Sequence, residues 1–248
     1  MKHITVVMTG YNSAEWIRKS IESALNQNYD ESNFDIICMD AETNDGTYEI
    51  LKEYEAKNSN VTIVRNNPRQ YQVQNIKDAV DMAKDDSIIV SLDFDDWLNG
   101  PEVFNKVNEV YSNGDVWMSY GTYVEHPYRD VSWHYKQYPD EVINANSFRK
   151  YELWLSSHLR TWKKELFQKI KDEDLKDAEG NYFSMAGDTV ILYPMLEMAG
   201  HKAVYVKDHL YVYNRTNDLS EDKVDISGQE GTANYVKSKP PYNRLSEL

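Results

Sequence analysis

Short apolar runs alternate with helix-like patterns through the N-terminal part of the chain, and this alternation limits the possible folds most. The runs lie at residues 4–8, 34–39, 61–64 and 88–92. Nearly continuous apolar runs of this length are typical of parallel strands that are covered on both faces. After each of the first three, apolar residues recur at helical spacing, as Ile17 and Ile21 do after the first. These successive strand–helix units predict an α/β fold with a mostly parallel, Rossmann-like sheet and helices on both faces.

The second half of the chain is less regular. Its pattern predicts two further helices and three further strands: helices over residues 103–111 and 188–198, and strands over residues 116–124, 204–206 and 210–213. Residues 127–139 show no clear period and are interpreted as a loop or lid. The polar residues 216–248 are interpreted as an arm that packs on the core or trails from it.

The acidic balance of the chain bears on what it binds. It has 41 Asp and Glu against 27 Lys and Arg, a net charge of −14. Because non-specific nucleic-acid binding depends on Lys and Arg that neutralise phosphates, this balance excludes a general nucleic-acid binder. It still allows a carboxylate cluster that needs a divalent metal.

The single cysteine, Cys38, excludes an intrachain disulfide, and its apolar neighbours predict a buried thiol on a strand. No apolar stretch approaches the ~18 residues of a membrane span, and the N-terminal one is interrupted too soon for a signal peptide. We therefore expect a soluble, cytoplasmic protein without a membrane span.

Polar residues follow the first two predicted strands, at the sheet edge where α/β folds bind ligands. The first strand is followed by Thr9-Gly10-Tyr11-Asn12, in which Tyr11 could lie against a base and the next helix N-terminus could attract an anion. The alternative is an ordinary strand-to-helix turn, with Asn12 as the helix cap. Asp40 ends the second strand, where no local feature requires an acid.

Three carboxylates, Asp93, Asp95 and Asp96, directly follow the fourth strand. Like charges packed this closely raise one another's pKa unless a cation intervenes. A hard divalent ion, Mg²⁺ or Mn²⁺, would offset this repulsion while it bridges a substrate diphosphate. The alternative is a solvated acidic turn with Asp96 as a helix cap, but the apolar residues on both sides favour the metal site.

Together these segments resemble family-2 glycosyltransferases with the GT-A fold. The resemblance is carried by Thr9-Gly10-Tyr11-Asn12, the helix sequence SIESALNQ, residues 40–47, Gln74-Asn75 where the family often has Arg-Asn, and residues 93–98. It covers residues 1–100 well and extends more weakly to residue 220. A single Asp-x-Asp is common by chance, so the order of the motifs on successive strands carries the resemblance.

The resemblance implies roles for these residues. It predicts a nucleotide-sugar site formed by Thr9, Tyr11, Asn12, Asp40, Asn75, Asp93 and Phe94. Asp40 is expected to hydrogen-bond the base, and Asp93 to face the ribose or a metal. Asp95 is expected to be the principal protein ligand of a Mn²⁺ or Mg²⁺ ion.

The resemblance also implies a catalytic base. The family's Glu-Asp pair appears here as Gly187-Asp188, so the Asp is present and its usual Glu neighbour is not. Asp188 would remove the proton from an acceptor hydroxyl as that oxygen attacks the anomeric carbon, which inverts this carbon. Asp188 could equally be the N-cap of the helix predicted after it, and the two roles are compatible. Ala41-Glu42 is a second departure, because the family more often has Asp and a small residue there.

Four aromatic or basic residues have less specific signals. His158 and Arg160 are candidate contacts to the diphosphate or the acceptor, and Trp133 is a candidate for stacking on a sugar face. The alternatives are a structural histidine at 158 and a small lid core around Trp133. His209 is either a metal ligand or a surface histidine at the start of a strand.

The resemblance therefore implies a metal-dependent, inverting glycosyltransferase of the hexosyltransferase type (EC 2.4). The donor would be a nucleotide-diphosphate sugar, most often a UDP-sugar in this family, and the acceptor a hydroxyl of a glycan or glycoconjugate. Residues 1–215 would form the catalytic domain, with a nucleotide-sugar half (1–98) and an acceptor half (99–215). One alternative is a non-catalytic nucleotide-sugar-binding protein. The other is a sugar-phosphate nucleotidyltransferase, which would need a Gly-rich basic loop after the first strand.

Overall fold

The computed structural model describes residues 1–112, 114–128, 130–131 and 135–248. Within these ranges the chain forms an eight-stranded sheet flanked by helices. The strands are β1 (Ile4–Gly10), β2 (Phe34–Asp40), β3 (Val61–Arg65), β4 (Ile88–Asp93), β5 (Trp97–Leu98), β6 (Met118–His126), β7 (Ser157–Lys163) and β8 (Ala203–Asn214). The α-helices are α1 (Ile17–Leu25), α2 (Thr47–Glu55), α3 (Gln72–Met82), α4 (Val103–Ser112), α5 (Asp140–Asn144), α6 (Lys164–Phe167), α7 (Gly187–Ala199), α8 (Glu221–Val224) and α9 (Ile226–Ser238). No helix in these ranges is both long and apolar enough to span a bilayer.

The N-terminal strands confirm the predicted α/β fold. β1 pairs in parallel with β2 and β4, and β2 pairs in parallel with β3. Successive side chains of a strand point to opposite faces, so Val7 packs with α3 and α7 whereas Val6 and Met8 pack with α1 and α4. Helices therefore cover both faces of the sheet. Cys38 is fully buried in β2, as predicted, and burial raises the pKa of its thiol.

The sheet is mixed, and its strand order is β3-β2-β1-β4-β7-β6-β8-β5. Parallel pairing predominates, as predicted, and the antiparallel pairs come with β7 and the short β5. β7 was not predicted because polar residues such as His158 and Arg160 interrupt its apolar pattern. The prediction of two late strands is wrong, since β8 continues through Lys207 and Asp208. Its backbone pairs with β6 across a register shift near Thr122, which no apolar pattern reports.

Two helix starts differ from the predictions. α1 begins at Ile17, so Asn12 is not its cap. Asn12 instead has a left-handed backbone (φ 48°), and its side chain exchanges two hydrogen bonds of 3.0 Å with Asn44. The amide thus ties the loop after β1 to the loop after β2. Ala186 holds the N-cap position of α7, so Asp188 lies in the first turn of that helix rather than at its cap.

The residues after β8 pack against the core. The buried Arg149 guanidinium pairs with Glu197 on α7, with 2.6 Å between Nε and Oε1. Arg149 also donates to the backbone oxygen of Val236 in α9, at 2.5 Å. The backbone N–H of Tyr242 donates to Glu197 Oε2 at 2.9 Å. One buried ion pair therefore joins α7 to both α9 and the C-terminal residues.

Candidate active site

A cleft of about 460 Å³ opens at the carboxyl ends of β1 and β4. Its walls are the loop after β1, the start of α3, the loop after β4, β7, the first turn of α7 and the segment after β8. Eight predicted site residues line it: Thr9, Tyr11, Asn75, Asp93, Asp95, His158, Arg160 and Asp188. Sheets of this type bind ligands at this edge, so the cleft is the candidate active site.

Asp96 differs from its two acidic neighbours because it is buried within the fold. Its Oδ2 accepts a hydrogen bond from the Tyr211 hydroxyl, and its Oδ1 accepts one from the Asn214 backbone N–H, both at 2.7 Å. Burial raises its pKa well above the usual range. Asp96 therefore fastens β8 to the loop after β4, and the three carboxylates do not form a solvated turn.

Asp93 and Asp95 contribute negative charge to the cleft. Asp93 Oδ1 accepts a hydrogen bond from Gln72 Nε2 at 3.0 Å, and Asp95 Oδ2 accepts one from Asn217 Nδ2 at 2.7 Å. Burial and then the charge of Asp95 raise the pKa of Asp93 to about 6, while Arg160 opposes the shift. Burial also raises the pKa of Asp95, against the hydrogen bond from Asn217. A cation between these carboxylates would offset both effects.

The two carboxylates fit the protein side of a Mg²⁺ or Mn²⁺ site. Mg²⁺ is usually bound through one or two carboxylates, with water and substrate phosphates as its other ligands. The described residues include no group of three or more His, Cys, Asp or Glu side chains that could hold a metal. Asp93 and Asp95 therefore suit an ion that is shared with a phosphate-bearing substrate. His209 does not line the cleft.

Asp188 and Arg160 form an ion pair in the cleft. Arg160 Nη2 donates to Asp188 Oδ2 at 3.1 Å, and the Arg160 Nε donates to the backbone oxygen of Ser156 at 3.2 Å. The Thr189 backbone N–H donates to Asp188 Oδ1 at 2.8 Å. The carboxylate is 27% exposed, so it is held in a fixed orientation and remains accessible from the cleft.

Asp40 ends β2 next to Ala41, which lines the cleft. Its carboxylate is buried, and neither oxygen has a hydrogen-bond partner among the residues that the structure describes. The Arg65 Nε lies 3.5 Å from Oδ2. Burial raises the pKa of Asp40, and the neighbouring Thr43 and Arg65 oppose that shift. A buried acceptor without a hydrogen bond is costly, and the positive charge of Arg65 offsets part of that cost.

An aromatic and a basic side chain stack where the loop after β1 borders the cleft. The Arg69 guanidinium lies 3.6 Å from the centre of the Tyr11 ring, and the Tyr71 ring is 5.3 Å from the same group. The Arg69 backbone N–H donates to Glu42 Oε2 at 2.9 Å, which fixes the loop before α3. Tyr11 therefore presents a flat face beside a positive charge.

Some predicted site residues lie elsewhere. Phe94 is fully buried in the core, where its Cβ would be 2.4 Å from a Cβ added to Gly10, so glycine is needed there for close packing. The side chains of Asn12 and Asp40 do not line the cleft, although both stand beside residues that do. Trp133 lies outside the described residues.

His158 is packed into the fold and also lines the cleft. Its ring stacks on Tyr211, with 4.5 Å between ring centres, and its Nε2 lies 3.9 Å from Asp93 Oδ2. Burial, with a smaller effect of Arg160, lowers its pKa well below the usual range, so the ring is neutral at pH 7. His158 is thus a packed histidine that also forms part of the cleft wall.

Sequence reasoning missed Gln72, Asn217 and Arg69. Gln72 contacts Asp93 from 21 positions away in the chain, and Asn217 contacts Asp95 from 122 positions away. Nothing local distinguishes either residue from an ordinary polar residue near a helix start. The excess of polar residues just before α3 is the signal that could have drawn attention to Arg69 and Gln72.

Comparison with known proteins places these features in a family. The sequence model described as "Glycosyl transferase family 2" matches residues 5–184, which is most of the chain. The poly(ribitol-phosphate) beta-glucosyltransferase of Bacillus spizizenii is 29% identical over 108 residues, 42% of this chain and 17% of that protein. The UDP-Glc:alpha-D-GlcNAc-diphosphoundecaprenol beta-1,3-glucosyltransferase WfaP of Escherichia coli is 28% identical over 123 residues, 50% of this chain and 47% of that protein. The chain thus spans less than half the length of these relatives.

Solved structures agree in fold. TarS 1-349 of S. aureus in complex with UDP-GlcNAc has a TM-score of 0.65 and 16% identity, and the match covers 88% of this chain and 59% of that one. The mannosyltransferase PcManGT of Pyrobaculum calidifontis, in complex with GDP-Man and Mn²⁺, has a TM-score of 0.59 and 16% identity, with 86% and 57% covered. At these identities the likeness establishes the GT-A type of fold.

Proposed function

The chain belongs to glycosyl transferase family 2, and we propose that it transfers a hexose from a nucleotide-diphosphate sugar to an acceptor hydroxyl, with inversion at the anomeric carbon. One observation carries the proposal: Asp93, Asp95 and Asp188, which come from two distant parts of the sequence, line a single cleft. In this arrangement Asp93 and Asp95 would serve the donor, and Asp188 would activate the acceptor.

The donor is proposed to be a UDP-sugar. WfaP is named for UDP-Glc and the TarS structure contains UDP-GlcNAc, which favours uridine, although the PcManGT structure contains GDP-Man. In this chain the base would lie at Tyr11 and Thr9. It would donate an N–H to Asp40, which is buried beside Arg65 and would have to become accessible from the cleft. Asn75 would border the same nucleotide. Asn12 would not contact the nucleotide, but it would hold the loop after β1 in place through its hydrogen bonds to Asn44. Phe94 would support the same loop by packing against Gly10.

The diphosphate would be bound at the Asp93 and Asp95 end of the cleft. Asp95 is the proposed principal protein ligand of Mn²⁺ or Mg²⁺, and Asp93 the second. When bound, such an ion neutralises the charge that develops on the departing diphosphate. Asp93 and Asp95 would orient the ion, and its positive charge would offset the repulsion between the two carboxylates.

Asp188 is the proposed general base. Its oxygen would accept the proton of the acceptor hydroxyl as that oxygen bonds to the anomeric carbon, and the bond to the diphosphate breaks with its electron pair. Arg160 and the Thr189 N–H hold the carboxylate for this step. The acceptor is proposed to be a glycan or glycoconjugate, since the aromatic residues Tyr123, Trp154 and Tyr213 line the adjacent wall.

The test is nucleotide release from a panel of donors. Purified protein with Mn²⁺ and UDP-, GDP- or dTDP-sugars is expected to release nucleoside diphosphate by slow hydrolysis, fastest with a UDP-sugar. Asp95→Ala should abolish metal-dependent release, whereas Asp140→Ala, at a carboxylate that is 83% exposed, should not. If no donor binds or reacts and Asp95→Ala changes nothing, the proposal is wrong. Donor binding without turnover on any acceptor would instead indicate a nucleotide-sugar-binding protein.

A further inference from the structure

We propose that Gln72 is a positioning residue for Asp93, and that glycine occupies position 187 to give the Gln72 side chain room. The inference rests on the proposed donor site and assigns it a residue pair that the family resemblance did not predict. The family resemblance implies a Glu-Asp pair where this chain has Gly187-Asp188. We attribute the glycine to the space that the Gln72–Asp93 contact needs, rather than to a loss of function.

The contact with Asp93 is a direct side-chain hydrogen bond. Gln72 is the first residue of α3, and its Nε2 donates to Asp93 Oδ1 at 3.0 Å. This donor uses one lone-pair direction of the carboxylate and leaves the others for a ligand. Gln72 therefore fixes the orientation in which Asp93 meets a ligand in the cleft.

Glycine at position 187 leaves space beside the Gln72–Asp93 contact. A Cβ added to Gly187 would lie 2.5 Å from Gln72 Oε1 and 3.3 Å from Val73 Cγ2. The first distance is shorter than any normal contact, so alanine at 187 would push the Gln72 amide, the flexible end of its side chain, away from its present position. The backbone of Gly187 is not left-handed, which leaves space rather than backbone conformation as the reason for glycine.

The same pair links the two ends of the cleft. Gly187 immediately precedes Asp188, so the Gln72 side chain lies between the carboxylate of the donor side and the first turn of α7. A family member with Glu at this position would fill this volume with a side chain from α7. Here the Gln72 side chain, which comes from α3, fills it.

The test is a double-mutant cycle with two readouts. Gln72→Ala, Gly187→Ala and the double variant are compared by free energy of unfolding and by calorimetric binding of the donor at increasing Mn²⁺. Gly187→Ala should be less favourable to stability when Gln72 is present than in the Gln72→Ala background, because only then must the Gln72 amide move. The gain in helix propensity from alanine is common to both backgrounds. This readout needs no ligand, so it tests the proposal even if the proposed function fails.

The binding readout separates positioning from packing. Gln72→Ala should raise the Mn²⁺ concentration needed for half-maximal donor binding by about threefold to tenfold, and the double variant should be no worse. Gln72→Met keeps the length of the side chain and removes the Nε2 donor without adding a charge. It should therefore weaken binding as Gln72→Ala does, while its coupling to Gly187→Ala in stability remains.

The matched controls are Gln168→Ala, at an exposed glutamine, and Gly231→Ala, where an added Cβ meets nothing within 4 Å. Neither should change Mn²⁺-dependent donor binding. Additive losses of stability in the cycle would overturn the steric part of the proposal. Unchanged Mn²⁺-dependent binding in Gln72→Ala, with a wild-type protein that binds the donor, would overturn the positioning role.

Discussion

Arg160 Nη2 donates a hydrogen bond of 3.1 Å to Asp188 Oδ2, which joins β7 to the first turn of α7 across the cleft. The other oxygen of Asp188 accepts the Thr189 N–H. A carboxylate offers about four lone-pair sites, so these two bonds orient the group and leave it able to accept a third hydrogen bond. An acceptor hydroxyl would therefore meet a fixed base rather than a mobile side chain.

Asp188→Asn tests this base directly. The amide keeps the size of the side chain but cannot take the proton, so kcat for transfer should fall by about 10²- to 10⁴-fold. Donor binding in Mn²⁺ should change little, because the proposed donor contacts come from β1, α3 and the loop after β4 rather than from α7. Steady-state kinetics and calorimetry on the same preparations check both expectations. An equal loss of donor affinity would contradict the assignment and indicate a binding role.

The pKa of Asp93 predicts a pH dependence of stability in the absence of metal and donor. Its value of about 6 lies above the ordinary ~3.9, so the folded protein binds more protons than the unfolded chain between about pH 4 and pH 6. The stabilising effect of this group is therefore present below about pH 4 and lost as the pH rises through 6. Asp93→Asn should raise the free energy of unfolding by about 1–3 kcal/mol at pH 8 and change it little at pH 4.

Denaturant unfolding at the two pH values measures this difference. Asp140→Asn, at an exposed carboxylate, is the matched control and should show no such dependence on pH. Adding Mn²⁺ and donor should reverse the order at pH 8, since the wild-type carboxylate then has its ligand. If Asp93→Asn instead lowers the free energy of unfolding at pH 8 without ligand, burial of the ionised Asp93 carboxylate does not destabilise the protein.

Cleft residues that directly follow a strand could be predicted from the sequence. Contacts between residues that are far apart in the sequence could not. Asp93, Asp95 and Tyr11 were found because a parallel sheet brings its strand ends to one edge. Asp188 required the family resemblance, because its position in the first turn of α7 reveals nothing about the cleft. Asn217 reaches Asp95 across 122 positions of sequence, and such a contact depends on tertiary packing that no local pattern reports.

The same limit applies to the fold. β1 to β4 have nearly continuous apolar sequences because both faces are buried, and their bounds were predicted within two residues. β7 and β8 carry polar residues that serve the cleft or the sheet edge, so their patterns are broken. The backbone hydrogen bonds that hold them in the sheet are insensitive to side-chain polarity.

Asp96 and Asp95 should separate in their responses to mutation. Asp96→Ala leaves the Tyr211 hydroxyl and the Asn214 N–H without their buried acceptor and should cost about 2–4 kcal/mol of unfolding free energy. Tyr211→Phe removes one of these bonds and should cost about 1–2 kcal/mol. Asp95→Ala should change stability less than Asp96→Ala while abolishing metal-dependent donor binding. Thermal unfolding and calorimetry on the three variants distinguish the structural from the ligand-binding carboxylate.

The buried Arg149–Glu197 pair predicts how the C-terminal residues are held. Burial raises the pKa of Glu197 and Arg149 opposes the shift, so the charge of Glu197 depends on Arg149. Arg149→Met leaves Glu197 buried without its cation and should cost about 3–5 kcal/mol. It also removes the bond to Val236, so α9 should become more accessible to protease.

The double variant Arg149→Met/Glu197→Leu tests whether charge or packing is responsible. Replacing both partners with apolar residues removes the uncompensated charge and should recover a large part of the stability lost in Arg149→Met. Protection of α9 should recover less, because the bond to the Val236 oxygen remains absent and the bond from the Tyr242 N–H to Glu197 is lost as well. Urea unfolding and limited proteolysis of the same variants measure the two effects separately. Equal recovery of both would mean that apolar packing, rather than these hydrogen bonds, holds the segment after β8 against α7.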